Sequence, residues 1–157
     1  GQVQFEVTPT QAGTTTLRAT ANANVIAQTV TLTFTNVDPA QSTSPSNGSG
    51  SVGSPITVTV IARDFNGNPL NGEMVTITSN RPSNDTITFV PPDQSLQAVP
   101  PPPASGTTNA SGQASFQITT NAAGVSTFTV IAGGATLPSF SLTFSPPTVA
   151  TLTVVAV

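Results

Sequence analysis

Residues 112–119 read Gly-Gln-Ala-Ser-Phe-Gln-Ile-Thr, and this stretch is the clearest indication of the fold class. Ala114, Phe116 and Ile118 alternate with hydroxyl or amide residues, and a period of two is typical of a β-strand with one face in a core. Threonine suits the other face because it is both β-branched and polar. The same alternation recurs in seven further stretches, at residues 3–7, 30–34, 56–60, 75–77, 86–89, 127–130 and 140–144.

Turn residues separate these strands, and no stretch shows the apolar spacing of an amphipathic helix. The clearest turn signals are the Asn-Gly and Gly-Gly pairs at 66–67, 71–72 and 133–134. About seven short strands in roughly 110 residues predict an all-β chain with the antiparallel sandwich of the immunoglobulin-like (Ig-like) class. Because the chain contains no Cys and no Trp, packing alone must hold this sandwich together.

The stretch at 112–119 has a counterpart at the start of the chain, where residues 1–8 read Gly-Gln-Val-Gln-Phe-Glu-Val-Thr. Residues 1–21 and 112–132 share 8 identities at a constant offset of 111 positions. After one deletion, Leu-Thr-Phe at 32–34 matches Leu-Thr-Phe at 142–144. A collinear match that keeps the apolar pattern indicates an internal repeat.

The repeat predicts that Ig-like sandwiches follow one another in tandem. We expect residues 1–36 to be the C-terminal part of one repeat and 37–146 to be a complete repeat with a Pro-rich insertion at 91–104. Residues 147–157 would then be a linker and the first strand of a following repeat, in a longer array. The alternative is a single domain with an N-terminal extension that arose by duplication. The low-complexity segment at 42–54 is either a short first strand or a linker.

Composition excludes most kinds of catalytic and cofactor site. The chain has no His, Cys, Trp or Tyr, and its three cations are arginines. This excludes Ser–His–Asp and Cys–His nucleophiles, His- or Cys-ligated metals and a Lys Schiff base, so we predict no enzyme activity and no cofactor. A net charge of −3 does not suit nucleic acid. The sequence contains no stretch of about 18 apolar residues, so we predict no membrane insertion by this segment.

Two stretches carry turn motifs in a fixed order. The first runs from Val58 through Asp64-Phe-Asn-Gly-Asn-Pro-Leu-Asn-Gly to Ile77, and the second runs from Thr108-Asn-Ala-Ser-Gly-Gln-Ala to the Ala-Gly at 123–124. Together they resemble the bacterial Ig-like group 1 (Big-1) repeats of intimin and invasin-type surface proteins. The resemblance covers nearly all of residues 50–145. It departs from the family pattern at Asn109, where the family often has Asp, and at the Pro-rich insertion.

The resemblance implies an extracellular or cell-surface spacer whose partners are neighbouring Ig-like repeats of the same or an identical chain. The leading hypothesis is therefore a structural stalk module of an adhesin-like surface protein or filament. One alternative is a self-assembling filament subunit, a homopolymer completed by intermolecular strand addition. A second alternative is a carbohydrate-binding module, for which Phe65 is the aromatic residue expected to be exposed.

Asp64, Asn66 and Asn68 begin like a calcium loop, with oxygen ligands at alternate positions. The pattern then fails, because Pro69 follows where a calcium loop has Gly. A turn ordered by local side-chain hydrogen bonds is therefore the favoured interpretation. A calcium ion between repeats near Asp38 is the weaker alternative.

Four prolines and three asparagines complete the candidate sites. The run Pro100, Pro101, Pro102 and Pro103 favours polyproline II and is interpreted as a stiff projecting loop, with contact to a neighbouring chain as the alternative. The N-glycosylation acceptor pattern occurs at Asn47, Asn84 and Asn109, although chance matches are expected in a chain so rich in Asn, Ser and Thr.

Overall fold

The computed structural model describes residues 2, 4–7, 12–21, 24–91 and 104–147. These residues form ten strands: β1 (Gly13–Ala21), β2 (Asn24–Phe34), β3 (Gly48–Ser51), β4 (Ile56–Ile61), β5 (Met74–Ser79), β6 (Asp85–Val90), β7 (Ala104–Thr107), β8 (Gln113–Thr120), β9 (Gly124–Ala132) and β10 (Ala135–Ser145). Among the described residues, no helix is long and apolar enough to cross a membrane.

Strands β3 to β10 form a two-layer sandwich. One sheet has the order β3-β10-β9-β5-β7 and the other has the order β4-β8-β6. This confirms the predicted all-β, Ig-like sandwich. The pairing is antiparallel except between β3 and β10, which run parallel from the Leu142–Gly48 pair to the Ser145–Ser51 pair. The low-complexity segment at 42–54 thus contains a short first strand.

The core lies between the two sheets, where the apolar positions of each alternating strand meet. Four phenylalanines are almost completely buried, and Phe128 and Phe140 stack with their ring centroids 4.9 Å apart. The opposite faces of the same strands carry Thr and Ser side chains. The buried phenylalanines are Phe116, Phe128, Phe140 and Phe144, and they are joined by Val58, Val60, Val75, Ile77, Ile87, Ile118, Val130, Leu137 and Leu142.

Strands β1 and β2 form a separate two-stranded antiparallel sheet, the N-terminal hairpin. Its pairing runs from Gly13–Phe34 through Leu17–Val30 to Ala21–Asn24, with one irregularity after Arg18. The last hairpin, β9–β10, pairs Gly124 with Phe144, Phe128 with Phe140 and Ala132 with Ala135, also with one irregularity. When residues before the deletion are shifted by 111 positions and residues after it by 110, the residue pairs of the first hairpin become those of the last. Leu17–Val30, for example, becomes Phe128–Phe140.

The predicted strand at residues 3–7 is wrong for residues 4–7, which form no strand. A strand needs a neighbour to accept and donate its backbone hydrogen bonds. Its sequence counterpart, β8, lies between β4 and β6, whereas no described strand pairs with residues 4–7. Alternation alone therefore does not make a strand.

Candidate functional site

Asp64 orders the loop that the sequence marked as a weak calcium candidate. Its Oδ1 accepts hydrogen bonds from the backbone N–H groups of Asn66 (2.9 Å) and Asn68 (2.8 Å), and its Oδ2 accepts one from Asn68 Nδ2 (2.9 Å). The side-chain hydrogen bond from Asn68, helped by these backbone bonds, lowers the pKa of Asp64. The carboxylate thus holds the turn, and Asn68 offers it an N–H group rather than an oxygen ligand.

Asp38 lies beside this loop, because its backbone N–H donates to the carbonyl of Arg63 at 2.8 Å. Its own carboxylate accepts from the backbone N–H of Ala40 at 2.8 Å. Over the described ranges, no group of three or more His, Cys, Asp or Glu side chains could hold a metal ion. A calcium ion near Asp38 stays a prediction.

The three candidate glycosylation asparagines differ in their surroundings. Asn47 is exposed and its Oδ1 accepts from the backbone N–H of Ser141 at 2.7 Å. Asn84 is half-buried and donates its Nδ2, the atom that a glycan would need, to Asn121 Oδ1 at 2.9 Å. Asn109 is half-buried and its Oδ1 accepts from two backbone N–H groups of its own turn. Asn47 is therefore the most accessible of the three.

Two other predicted contact sites have different outcomes. Phe65 is largely exposed, as the carbohydrate-binding hypothesis requires, but carbohydrate binding itself stays a prediction. The run Pro100, Pro101, Pro102 and Pro103 lies outside the described residues.

Residues 35–38 form the joint between the N-terminal hairpin and the sandwich. Val37 is 1% exposed and belongs to the sandwich core. Of the two residues before it, Thr35 donates its Oγ1 hydrogen to the Val37 carbonyl at 2.9 Å within the joint, and Asn36 Nδ2 donates to Glu73 Oε1 of the sandwich at 3.5 Å. With the bond from Asp38 to Arg63, these contacts anchor the joint to the sandwich.

The β9–β10 turn closes against this joint. Gly133 has a positive φ of 52°. A Cβ atom there would lie 2.6 Å from Glu73 Oε2 and 2.7 Å from Val37 Cγ2, distances that real Cβ atoms do not adopt. A side chain at this position would therefore have to displace Glu73 and Val37 and would also sit at an unfavourable positive φ.

The first strand of the sandwich bridges the two sheets. Thr43 pairs with Ile61 of β4, and β3 then pairs in parallel with β10 in the other sheet. The chain passes close to β4 at Gly50, where a Cβ atom would lie 2.6 Å from Ile56 Cδ1. Beyond β3, the Val52 N–H donates to the Ser145 carbonyl at 3.0 Å and extends the parallel ladder.

Asp85 belongs to none of the sites predicted from the sequence, and it is 2% exposed. Ser79 Oγ donates to Asp85 Oδ2 at 2.5 Å, and the Arg81 N–H donates to Ser79 Oγ at 2.9 Å. These bonds fasten the connection by which the chain crosses from β5 to β6. A signal was present, because Asp85 shares the inward period-two positions with Ile87 and Phe89.

No family model and no curated protein matches the sequence. Solved structures with similar folds include the surface layer protein SbsC. Its domains 1–6 match with a TM-score of 0.52 and 16% identity over 87% of this chain and 17% of that chain. Its domains 4–9 match with a TM-score of 0.51 and 17% identity over 87% and 18% of the two chains. Invasin, a bacterial integrin-binding protein, matches with a TM-score of 0.49 and 22% identity over 88% of this chain and 26% of that chain.

The common feature is the fold. At identities of 16% and 17%, the similarity to SbsC shows a shared β-sandwich architecture. The chain spans 17% and 18% of the length of those two SbsC chains, so it corresponds to a small part of each.

Proposed function

We propose that this chain is a load-bearing structural module of an extracellular or cell-surface protein, built from tandem Ig-like repeats and without catalytic activity. The extracellular setting is supported by the fold shared with SbsC and by the resemblance of the turn motifs to Big-1 repeats. A composition without Cys and with a single Met also limits oxidative damage outside the cell.

The parallel pairing of β3 and β10 carries the load-bearing proposal. The chain enters the sandwich before β3 and leaves it after β10, and the two strands point in the same direction. Once the joint and the Thr43–Ile61 pair, which precede β3, have yielded, tension between the two ends of the sandwich slides β3 along β10. All the hydrogen bonds of this ladder then resist together, whereas pulling at one end of the pair would break them one at a time.

The anchored joint supplies a second feature that a stalk needs. Val37 is buried in the sandwich, and neighbouring residues of the joint bond to Glu73 and Arg63. A free linker would let successive units pivot, whereas a linker that packs into one unit restricts its direction. The joint thus favours an extended array over a freely hinged one.

Pulling single molecules in two directions tests this function. Because the chain has no Cys, introduced cysteines can hold the handles at chosen residues. Handles at Ser46 and Ser145 load the β3–β10 pair in shear, whereas handles at Ser51 and Ser145, which pair directly, peel it open. We expect a higher rupture force in the first geometry. Equal rupture forces would refute a load-bearing role for this pair.

A labelling experiment tests the cellular setting separately. An antibody against the sandwich should label intact cells of the producing organism as strongly as it labels permeabilised cells. Labelling only after permeabilisation would contradict an extracellular location without affecting the mechanical result.

A further inference from the structure

The first strand of the sandwich is attached to two different sheets. Its second half, β3, pairs with β10 in the five-stranded sheet. Its first half, which we call the entry segment and define as residues 37–47, is attached mainly beside β4 in the three-stranded sheet. Thr43 and Ile61 exchange two backbone hydrogen bonds, of 2.8 and 2.9 Å. The Asp38 N–H donates to the Arg63 carbonyl just after β4, at 2.8 Å.

The chain between these two attachments is weakly held. Residues 44–46 make no backbone hydrogen bond to another described residue, and the buried Ser44 hydroxyl has no partner among them either. Pro45 has no N–H group, so the antiparallel pairing of Thr43 with Ile61 cannot continue to its next hydrogen-bonded pair. A groove of about 430 Å³ lies here between the entry segment and β4. The two attachments can therefore break independently.

The core of the sandwich depends little on the entry segment. Of the 19 described residues that form the buried core, Val37 is the only one that precedes β4. The four buried phenylalanines lie in β8, β9 and β10. Detachment of the entry segment thus exposes one core valine and breaks a few hydrogen bonds, while the two sheets keep their packing. Regions with so few buried apolar contacts open at a much lower free energy than the whole fold.

We propose that the entry segment detaches as a unit while β3 stays paired with β10 and the sandwich stays folded. Its anchors at Val37, Asp38 and Thr43 follow one another along the chain, so a pull from the joint loads them in turn. The pairs of β3 with β10 are instead loaded together. The entry segment therefore yields at the lower force. This inference rests on the load-bearing proposal only for its mechanical role, because the segment also opens without load.

Detachment gives the module a reversible reserve of length. The 11 residues of the entry segment span at most about 40 Å when fully extended, so the unit lengthens before β3 and β10 separate. When the force falls, Val37 returns to a core that has kept its shape. Units joined in tandem would add their reserves.

Thiol labelling without load tests the detachment itself. The chain contains no Cys, so one introduced thiol reports on one position. Val37→Cys and Val75→Cys replace two valines that are at most 1% exposed, one in the entry segment and the other in β5. We expect iodoacetamide to label Val37→Cys at least about 100-fold faster, because the thiol in β5 becomes accessible only on global unfolding. Equal labelling rates in the two variants would overturn the proposal.

Amide hydrogen exchange of the native chain shows whether the entry segment opens as a unit. The N–H groups of Asp38, Thr43 and Ile61 all bond between the segment and its seat beside β4, so they should share one low level of protection. The Val52 N–H, which bonds to the Ser145 carbonyl, should be protected at least about 100-fold more strongly. Equal protection of Thr43 and Val52 would mean that the first strand opens as a whole. Rapid exchange at Asp38 alone would mean that only the joint frays. Either result would contradict the proposal.

Single-molecule pulling separates this proposal from the load-bearing one. Handles at Asn36 and Ser145 include the entry segment in the loaded chain, whereas handles at Ser46 and Ser145 leave nearly all of it out. We expect a first extension of at most about 40 Å from Asn36 only, followed in both geometries by the same rupture of β3 from β10. A trace from Asn36 without the first extension would refute the detachable segment and leave the load-bearing pair standing. Equal rupture forces in shear and in peeling would refute the load-bearing pair and leave the labelling and exchange results unaffected.

Discussion

The N-terminal hairpin and the β9–β10 hairpin share a sequence pattern and a pairing register, but they differ in burial. Phe128 and Phe140 of the last hairpin are completely buried, whereas their counterparts Leu17 and Val30 are exposed. The alternating sequence and its turn thus specify which residues pair. Burial depends on the opposite sheet, which is formed by strands far away in the sequence.

The largest difference between the hairpins should appear when counterpart residues are truncated. Phe128→Ala removes a fully buried ring that stacks on Phe140, so we expect the free energy of unfolding to fall by about 3–5 kcal/mol. Leu17→Ala removes side-chain atoms that are partly in water, so we expect a change within about 0.5 kcal/mol. Urea unfolding followed by circular dichroism measures both values.

Both variants should be measured in the same buffer and at the same protein concentration. Equal losses of stability for Phe128→Ala and Leu17→Ala would show that the N-terminal hairpin is covered as completely as its counterpart. The comparison between the two hairpins would then fail.

Strands with clear alternation could be predicted from the sequence. The patterns at 56–60, 75–77 and 86–89 correspond to β4, β5 and β6, and those at 127–130 and 140–144 fall within β9 and β10. Strands β1 and β7 were missed because consecutive Thr residues in β1, and Gly and Ser in β7, hide the period, and β3, also built of Gly and Ser, was predicted only as one of two alternatives for residues 42–54. Their partners, not their own side chains, determine that they are extended.

The features proposed to be functional were harder to predict because they depend on long-range contacts. Nothing in the local sequence indicates that Val37 enters the core or that Gly133 packs against it. The parallel pairing of β3 with β10 joins residues 94 positions apart. The Asp64 turn, by contrast, forms entirely from neighbouring residues, and the sequence favoured a turn ordered by local hydrogen bonds at that position.

Substitutions in the β9–β10 turn test how much the last hairpin gains from its contacts with the joint. Gly133→Ala adds a methyl group against Val37 and Glu73 at a positive φ, so we expect a loss of about 1–3 kcal/mol. Gly134→Ala is the matched control. Its φ is also positive, but the nearest atom to an added Cβ is Thr35 Cγ2 at an ordinary 3.7 Å, so only the backbone cost of about 1 kcal/mol remains.

Thermal unfolding of the two variants under identical conditions distinguishes these costs. A loss for Gly134→Ala as large as that for Gly133→Ala would mean that the packing of Gly133 on the joint contributes nothing. The joint would then be anchored only by its hydrogen bonds and Val37.

The smallest effect is expected at Asp64, where every bond is local and no distant strand contributes. Its pKa lies below the ordinary value of 3.8 because the folded loop donates hydrogen bonds to the ionised carboxylate. A lowered pKa in the folded state stabilises the fold above pH 3.8, and this contribution is lost as the pH falls through the pKa of the folded state. Asp64→Ala should therefore be slightly less stable than the native chain at neutral pH.

The difference between Asp64→Ala and the native chain should narrow as the pH falls below about 4, because protonation removes the advantage of the native carboxylate. Denaturant unfolding at a series of pH values measures this. Asp38→Ala controls for the loss of an exposed carboxylate that accepts a single backbone hydrogen bond. A difference that does not change with pH would mean that Asp64 stabilises the loop through its shape rather than its charge. The hydrogen bonds from Asn66 and Asn68 would then contribute equally to the neutral and the ionised acid.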